Sequence, residues 1–261
     1  MSDSVSEALR ANYSPLGSAL IEQLYSENYL SLSGEAATDV LADRAGIGSA
    51  TQVLDIGCGL GGPAMRLAGT RGCRVTGVDL VESNVATARE RVKAAGLAER
   101  VSIEQGDATV LRFADASFDV VCSQDALCHV PDKAAVLAEI ARVARTPAAV
   151  AFTDWVEVGA MQGDYRVEVL DALSAPNLQT LSGYCDLLEQ HGFEVTVRED
   201  ISDGFAARYD VIMTRLAALE QEISSRFSPR VFAVMMQKNG ALQHAFANGK
   251  LGGCMVVARR S

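Results

Sequence analysis

From residue 52 onward, short runs of β-branched and other apolar residues alternate with longer stretches in which apolar residues recur every three or four positions. The short runs predict strands and the 3.6-residue period predicts helices. Strands are expected over residues 52–56, 74–79, 101–105, 118–123, 148–154, 193–199 and 253–258. Among the helices between them, 85–95 aligns Val85, Ala88, Val92 and Ala95 on one face, and 133–145 aligns Val136, Leu137, Ile140 and Val143. Strands that alternate with amphipathic helices make an α/β, doubly wound, seven-stranded and mostly parallel sheet. Two segments exceed a simple crossover, 156–181 and 201–250. Long excursions at one end of such a sheet usually form lids or substrate walls. Ahead of the sheet, Ser4 to Gly46 reads as two or three helices, so residues 1–46 are expected to cap a site. No internal repeat, low-complexity stretch or linker divides the sequence, and 1–261 is read as one domain.

About half of the 261 residues are apolar (49%), enough for a sizeable core. The net charge of −10 is dispersed, and no basic run exceeds Arg259-Arg260, which argues against nucleic acid as a partner. No apolar stretch approaches the roughly 20 residues of a membrane span, and residues 1–10 do not form a basic leader followed by an apolar run. A cytoplasmic protein is expected. The six cysteines, Cys58, Cys73, Cys122, Cys128, Cys185 and Cys254, include no C-x-x-C pair, so no metal site is expected and they read as reduced core thiols.

The chemistry starts at Val53-Leu54-Asp55-Ile56-Gly57-Cys58-Gly59-Leu60-Gly61-Gly62, a strand that runs into glycines and then a helix. Glycines there let a ligand approach the backbone at the carboxyl ends of the strands. Gly57, Gly59 and Gly62 also satisfy G-x-G-x-x-G, so a nicotinamide oxidoreductase stays open on spacing alone. Asp79 ends the second strand and suits the ribose hydroxyls of either cofactor. Asp55, just before the glycines, would repel a pyrophosphate but attract an α-ammonium group directly or through a water. Asp107, in Gln105-Gly106-Asp107-Ala108, stands where an adenine amino group needs an acceptor. Each aspartate alone is as compatible with a turn or cap. Three at successive strand ends around one glycine loop favour S-adenosylmethionine (SAM) as the cofactor.

The run VLDIGCGLGGPA, with GVDL, QGDA and FDVVCSQDALCHVPD, resembles the class I SAM-dependent methyltransferases, whose sheet is Rossmann-like. More narrowly the chain resembles the phosphoethanolamine and sarcosine/dimethylglycine N-methyltransferases, and this likeness covers most of its length. Ser26 to Gly34, followed by Glu35 to Thr38, is similar to the family's segment that closes over the cofactor, with Ser33-Gly34 in place of Gly-Gly. The resemblance implies that Leu30, Ser31, Gly57, Gly59, Asp79, Leu80, Asp107, Ala108 and Gln124 touch SAM.

Asp125 and His129 follow the fourth strand four residues apart, a spacing that a helical turn would bring to one face. A histidine at this edge beside a carboxylate suits proton transfer, although a lone histidine is more often structural. In the enzymes that the motif resembles, the matching Asp and His line the acceptor site together with a tyrosine that matches Tyr13. The resemblance implies that His129 takes or relays the acceptor proton, Asp125 holds His129 or an acceptor ammonium, and Tyr13 orders the lid. Trp155, the only tryptophan, either faces a cationic or aromatic acceptor or packs under the lid. Where phosphoethanolamine enzymes carry a basic phosphate grip, this chain reads Leu173-Ser174-Ala175-Pro176-Asn177-Leu178, without a cation. The segment Arg230 to Met236, with Met213, Leu216 and Leu219, is apolar, which equally suits a core, a substrate wall or the face of a homodimer. The expected reaction is methyl transfer to a small organic molecule, N-methylation of an amine without a phosphate in the first place. O- or C-methylation of an apolar natural product is the alternative, followed by the nicotinamide oxidoreductase.

Overall fold

The computed structural model describes residues 9–261, so residues 1–8 of the expected cap lie outside the described part. Strands β1 (Gln52–Ile56), β2 (Arg74–Asp79), β3 (Val101–Gln105), β4 (Phe118–Gln124), β5 (Ala144–Glu157), β6 (Glu194–Asp200) and β7 (Leu251–Arg260) form one sheet in the order β3-β2-β1-β4-β5-β7-β6. Neighbours from β3 to β5 pair in parallel, whereas β7 runs antiparallel between β5 and β6. The expected doubly wound, mostly parallel sheet is present. β5 and β7 exceed their expected lengths because they pair over ten residues, from Ala148 opposite Arg260 to Glu157 opposite Leu251. The helix expected over 133–145 stops at Val143, where Ala144 turns extended and pairs with Phe118.

The helices are α1 (Pro15–Leu24), α2 (Gly34–Ala45), α3 (Gly62–Arg71), α4 (Glu82–Ala94), α5 (Lys133–Val143), α6 (Gly163–Leu173), α7 (Leu181–Gln190), α8 (Ser202–Ala218), α9 (Glu220–Arg226) and α10 (Pro229–Ala247). Several start where the sequence supplies a cap: Ser14, Asp132, Thr180 and Ser228 each accept a backbone N–H of the first turn. α5 and α7 bury their apolar faces on one side of the sheet, α2, α3 and α4 on the other. A third apolar cluster lies off the sheet, where α1, α6, α8, α9 and α10 close around Trp155, Phe205, Tyr209 and Phe246. Both long insertions therefore contribute helices to one layer. Among the described residues no helix is long and apolar enough to cross a membrane.

Candidate active site

The glycine loop forms one wall of a cleft at the carboxyl ends of β1, β2 and β4, which is also lined by Leu30, Ser31, Asp79, Leu80, Gly106, Ala108, Gln124 and His129. Gly57 and Gly59 have positive φ (72° and 53°), and a Cβ on Gly57 would lie 2.3 Å from that of Ala126. Only glycine fits there. The loop's amides point inward: Gly57 and Cys58 donate to the Val78 carbonyl, Gly59 to Asp79 Oδ2 at 2.9 Å, and Gly61 to the Cys58 carbonyl. A pyrophosphate would need such amides free, and here it would meet Asp79 instead, so the loop does not fit a dinucleotide. Asp79 Oδ1 also accepts from Val81 N at 2.9 Å, and burial raises its pKa. The Ser31 hydroxyl is buried in the wall and has no partner among the described residues, an orphan that a polar cofactor would satisfy.

Two of the three expected carboxylates stand elsewhere than the sequence reading put them. Asp55 does not line the cleft. It is 1% exposed, its Oδ2 lacks a partner, and burial reinforced by Asp79 raises its pKa to about 7. Side chains alternate along a strand, so Asp55 points away from the face that its neighbour Ile56 presents to the cleft. Asp107 turns its carboxylate onto Thr109 N and Oγ1, at 2.9 and 2.7 Å, and the cleft wall is formed by Gly106 and Ala108 on either side.

Asp125 lies in the left-handed region, at φ 54°, a conformation that costs of order 1–3 kcal/mol and that aspartate tolerates better than most residues. It does not hold His129. Only Leu127–His129 forms a short 3-10 turn, so the four-residue spacing does not place both side chains on one helical face. Asp125 Oδ2 accepts from Ser33 N at 2.8 Å and Oδ1 from the Thr153 hydroxyl at 2.7 Å. Gln124 donates to Ser33 Oγ and the Gly34 carbonyl and accepts from Thr38, while Arg208 of α8 donates to the carbonyls of Leu32 and Ser33. The segment before α2 is thus latched over the cleft. Ser33 itself has φ −64°, so a serine there meets no backbone strain, and its hydroxyl joins the latch.

His129 is anchored on both ring nitrogens. Nδ1 lies 3.1 Å from the Ser174 carbonyl and Nε2 3.0 Å from the Tyr13 hydroxyl. A carbonyl can only accept, so Nδ1 carries the proton and Nε2 offers its lone pair to Tyr13. Burial lowers the His129 pKa to about 4, with the Lys133 ammonium acting in the same direction. Burial also raises the Tyr13 pKa well above its usual value. Both groups are neutral near pH 7.

Beneath His129 lies a charged group that the sequence reading did not single out. Lys133 Nζ, 6% exposed, donates to the carbonyls of Cys128 and Val130 and to Asn177 Oδ1, and Asn177 donates to the Pro131 carbonyl. Asp154 accepts from Cys128 N and the Tyr184 hydroxyl, and burial raises its pKa to about 7. These bonds fix the His129 loop from below. Trp155 packs with Phe205, Tyr209 and Phe246 and is 3% exposed, which is the packing reading, and it is not among the residues lining this cleft.

Residues 54–152 match the family described as a methyltransferase domain. A 27-O-demethylrifamycin SV methyltransferase of Amycolatopsis mediterranei is 32% identical over 257 residues, 92% of this chain and 93% of that one. The chain belongs to the SAM-dependent methyltransferases. Methyltransferase GfsG of Streptomyces halstedii is 34% identical over 178 residues, 67% of this chain, and the match spans 64% of its own length. In fold, the methyltransferase is similar to phosphoethanolamine N-methyltransferase 2 of Haemonchus contortus, with a TM-score of 0.89, 23% identity, and coverage of 98% of this chain and 60% of that one. SAM is the methyl donor of this family, and the orphaned Ser31 hydroxyl and inward-facing glycine loop fit it.

Proposed function

We propose that this methyltransferase alkylates a hydroxyl of a small organic acceptor, with Tyr13 and His129 carrying the acceptor's proton away. The observation behind this reading is the fixed tautomer of His129, a neutral imidazole whose Nε2 lone pair is directed at the Tyr13 hydroxyl. Bound SAM supplies a methyl group already activated on a sulfonium. Ser31, Leu30, Asp79, Leu80, Gln124 and Ala108 hold the cofactor, and the segment latched by Asp125 and Arg208 excludes water. Transfer of that methyl to the acceptor oxygen would release the cofactor as a thioether, and the residues of the cleft would align the two and take up the acceptor's proton. The hydroxyl proton passes to Tyr13 Oη while the Tyr13 proton passes to His129 Nε2, which leaves an imidazolium to be discharged to solvent after the turnover.

N-methylation, the reading drawn from the motifs, keeps its support in relatives named for nitrogen acceptors, alongside others named for oxygen and carbon. A cationic amine asks for an available carboxylate, whereas the oxygens of Asp125 and Asp79 already accept from neighbouring amides and a hydroxyl. A hydroxyl acceptor needs none. The test is S-adenosylhomocysteine release with size-matched alcohols, phenols and amines. Hydroxyl acceptors should turn over, and His129→Asn should lower kcat about 100-fold or more while SAM affinity stays within twofold. Turnover confined to amines and indifferent to His129→Asn would overturn the reading.

A further inference from the structure

Resting on that reading, we propose that the body of the acceptor occupies a second cavity that meets the cofactor cleft at Tyr13, with its reacting hydroxyl reaching past Tyr13 into the cleft, and that it is a bulky, mostly apolar molecule without phosphate or carboxylate groups. The cavity, about 690 Å³, lies between α1, the end of α6 and α10. That is within the range of about 300–1,000 Å³ typical of small-molecule sites, and far more than a simple amine fills.

Three observations converge on it. Tyr13 lines both this cavity and the cofactor cleft, and Ser174, whose carbonyl orients His129, lines it as well. A molecule seated there meets Tyr13, the residue common to both spaces, whose hydroxyl is bonded to His129. Its walls are largely aliphatic, with Leu20, Leu24, Met235 and Leu242 among them. Its charged side chains are paired with each other and its central tyrosine is partnered: Lys238 pairs with Asp171 at 3.0 Å, and Tyr209 donates to Asn239 at 2.6 Å. Among the described residues no arginine lines the cavity. The guanidinium groups of α8 nearby, Arg208 and Arg215, hold backbone carbonyls before α2 and at the end of α1. An anionic acceptor would lose its water without gaining an uncommitted cation, whereas an apolar body gains from burial at about 25 cal/mol per Å².

The experiment uses the full chain saturated with S-adenosylhomocysteine and the neutral fluorophore N-phenyl-1-naphthylamine. The probe should bind, be displaced by polycyclic phenols, and ignore phosphoethanolamine and sarcosine. Met235→Arg should weaken probe binding at least tenfold and leave cofactor affinity, measured by calorimetry, unchanged. Val234→Arg, at a half-exposed position on the wall that tolerates a charge without unfolding, should weaken it severalfold. Probe binding that both variants leave intact, or displacement by phosphoethanolamine, would overturn the proposal. Failure of the wild type to bind cofactor would instead strike the methyl-transfer reading and leave the probe to decide the cavity.

Discussion

The reactive character of this methyltransferase rests on where single side chains place their protons. Tyr13→Phe removes the hydroxyl that donates to His129 Nε2, the one proposed to relay the acceptor's proton, and keeps the ring that packs edge-on against His129. We expect kcat to fall about 100-fold with the fold and SAM affinity intact, measured by initial rates and calorimetry. Buried ionisable groups also shape stability. His129 is held at about 4, below its ordinary 6.5, so its contribution is present above pH 6.5 and is lost as pH falls through 4. Asp55 has the opposite sign: its pKa is raised to about 7, so its contribution is present below the ordinary carboxylate range and lost as pH rises through 7. Asp55→Asn should therefore shrink the drop in Tm between pH 5 and pH 8, as read by calorimetry, and an unchanged drop would place the titrating group elsewhere. Asp79 and His129 drew attention by type and position and Tyr13 through the family resemblance, and the structure brings the three to one cleft. The orientations of Asp55 and of Asp107 Oδ1 were not legible, because a strand's alternation and a local turn decide which way a carboxylate points, and motif spacing records neither.

At the scale of elements, two devices hold the site in shape. The latch over the cofactor joins the segment before α2 to β4, β5 and α8 through Asp125, Gln124, Thr153 and Arg208. Arg208→Ala removes charge-assisted bonds to two carbonyls, worth about 1.5 kcal/mol, and should speed SAM dissociation roughly tenfold in stopped-flow measurements. The second device is Lys133 at the first turn of α5, which ties the His129 loop to Asn177. Lys133→Met leaves the carbonyls of Cys128 and Val130 without their donor and should destabilise the fold by about 1–3 kcal/mol in denaturant titrations, with kcat reduced more than SAM affinity. The closing segment was legible through its resemblance, but the bonds that latch it and the tie made by Lys133 were not. Val136, Leu137, Ile140 and Val143 gave α5 through their period, but one partner of Lys133, Asn177, lies 44 residues away in a segment that carries no pattern of its own.

For the whole molecule, the alternation of strands and helices predicted the mostly parallel sheet and, to within a residue, the bounds of every strand but β5 and β7, since burial on both faces imposes continuous apolar runs; the antiparallel course of β7 was not legible. The two insertions were legible as excess length, and their shared layer beside the sheet emerges only from packing around Trp155. Cofactor linkage follows from this architecture. At 100 times its dissociation constant, SAM should stabilise the folded protein by about 2.7 kcal/mol, a rise in Tm of roughly 5–10 °C, whereas NADH should produce none, because the glycine loop offers its amides inward. A matching rise with NADH would undo that argument.

The most direct test of the central claim is the long-range 1H–15N spectrum of the His129 imidazole between pH 5 and pH 8. The account predicts a neutral ring throughout, with Nδ1 protonated toward Ser174 and Nε2 unprotonated toward Tyr13. An imidazolium at pH 7, or a ring with its proton on Nε2, would contradict it.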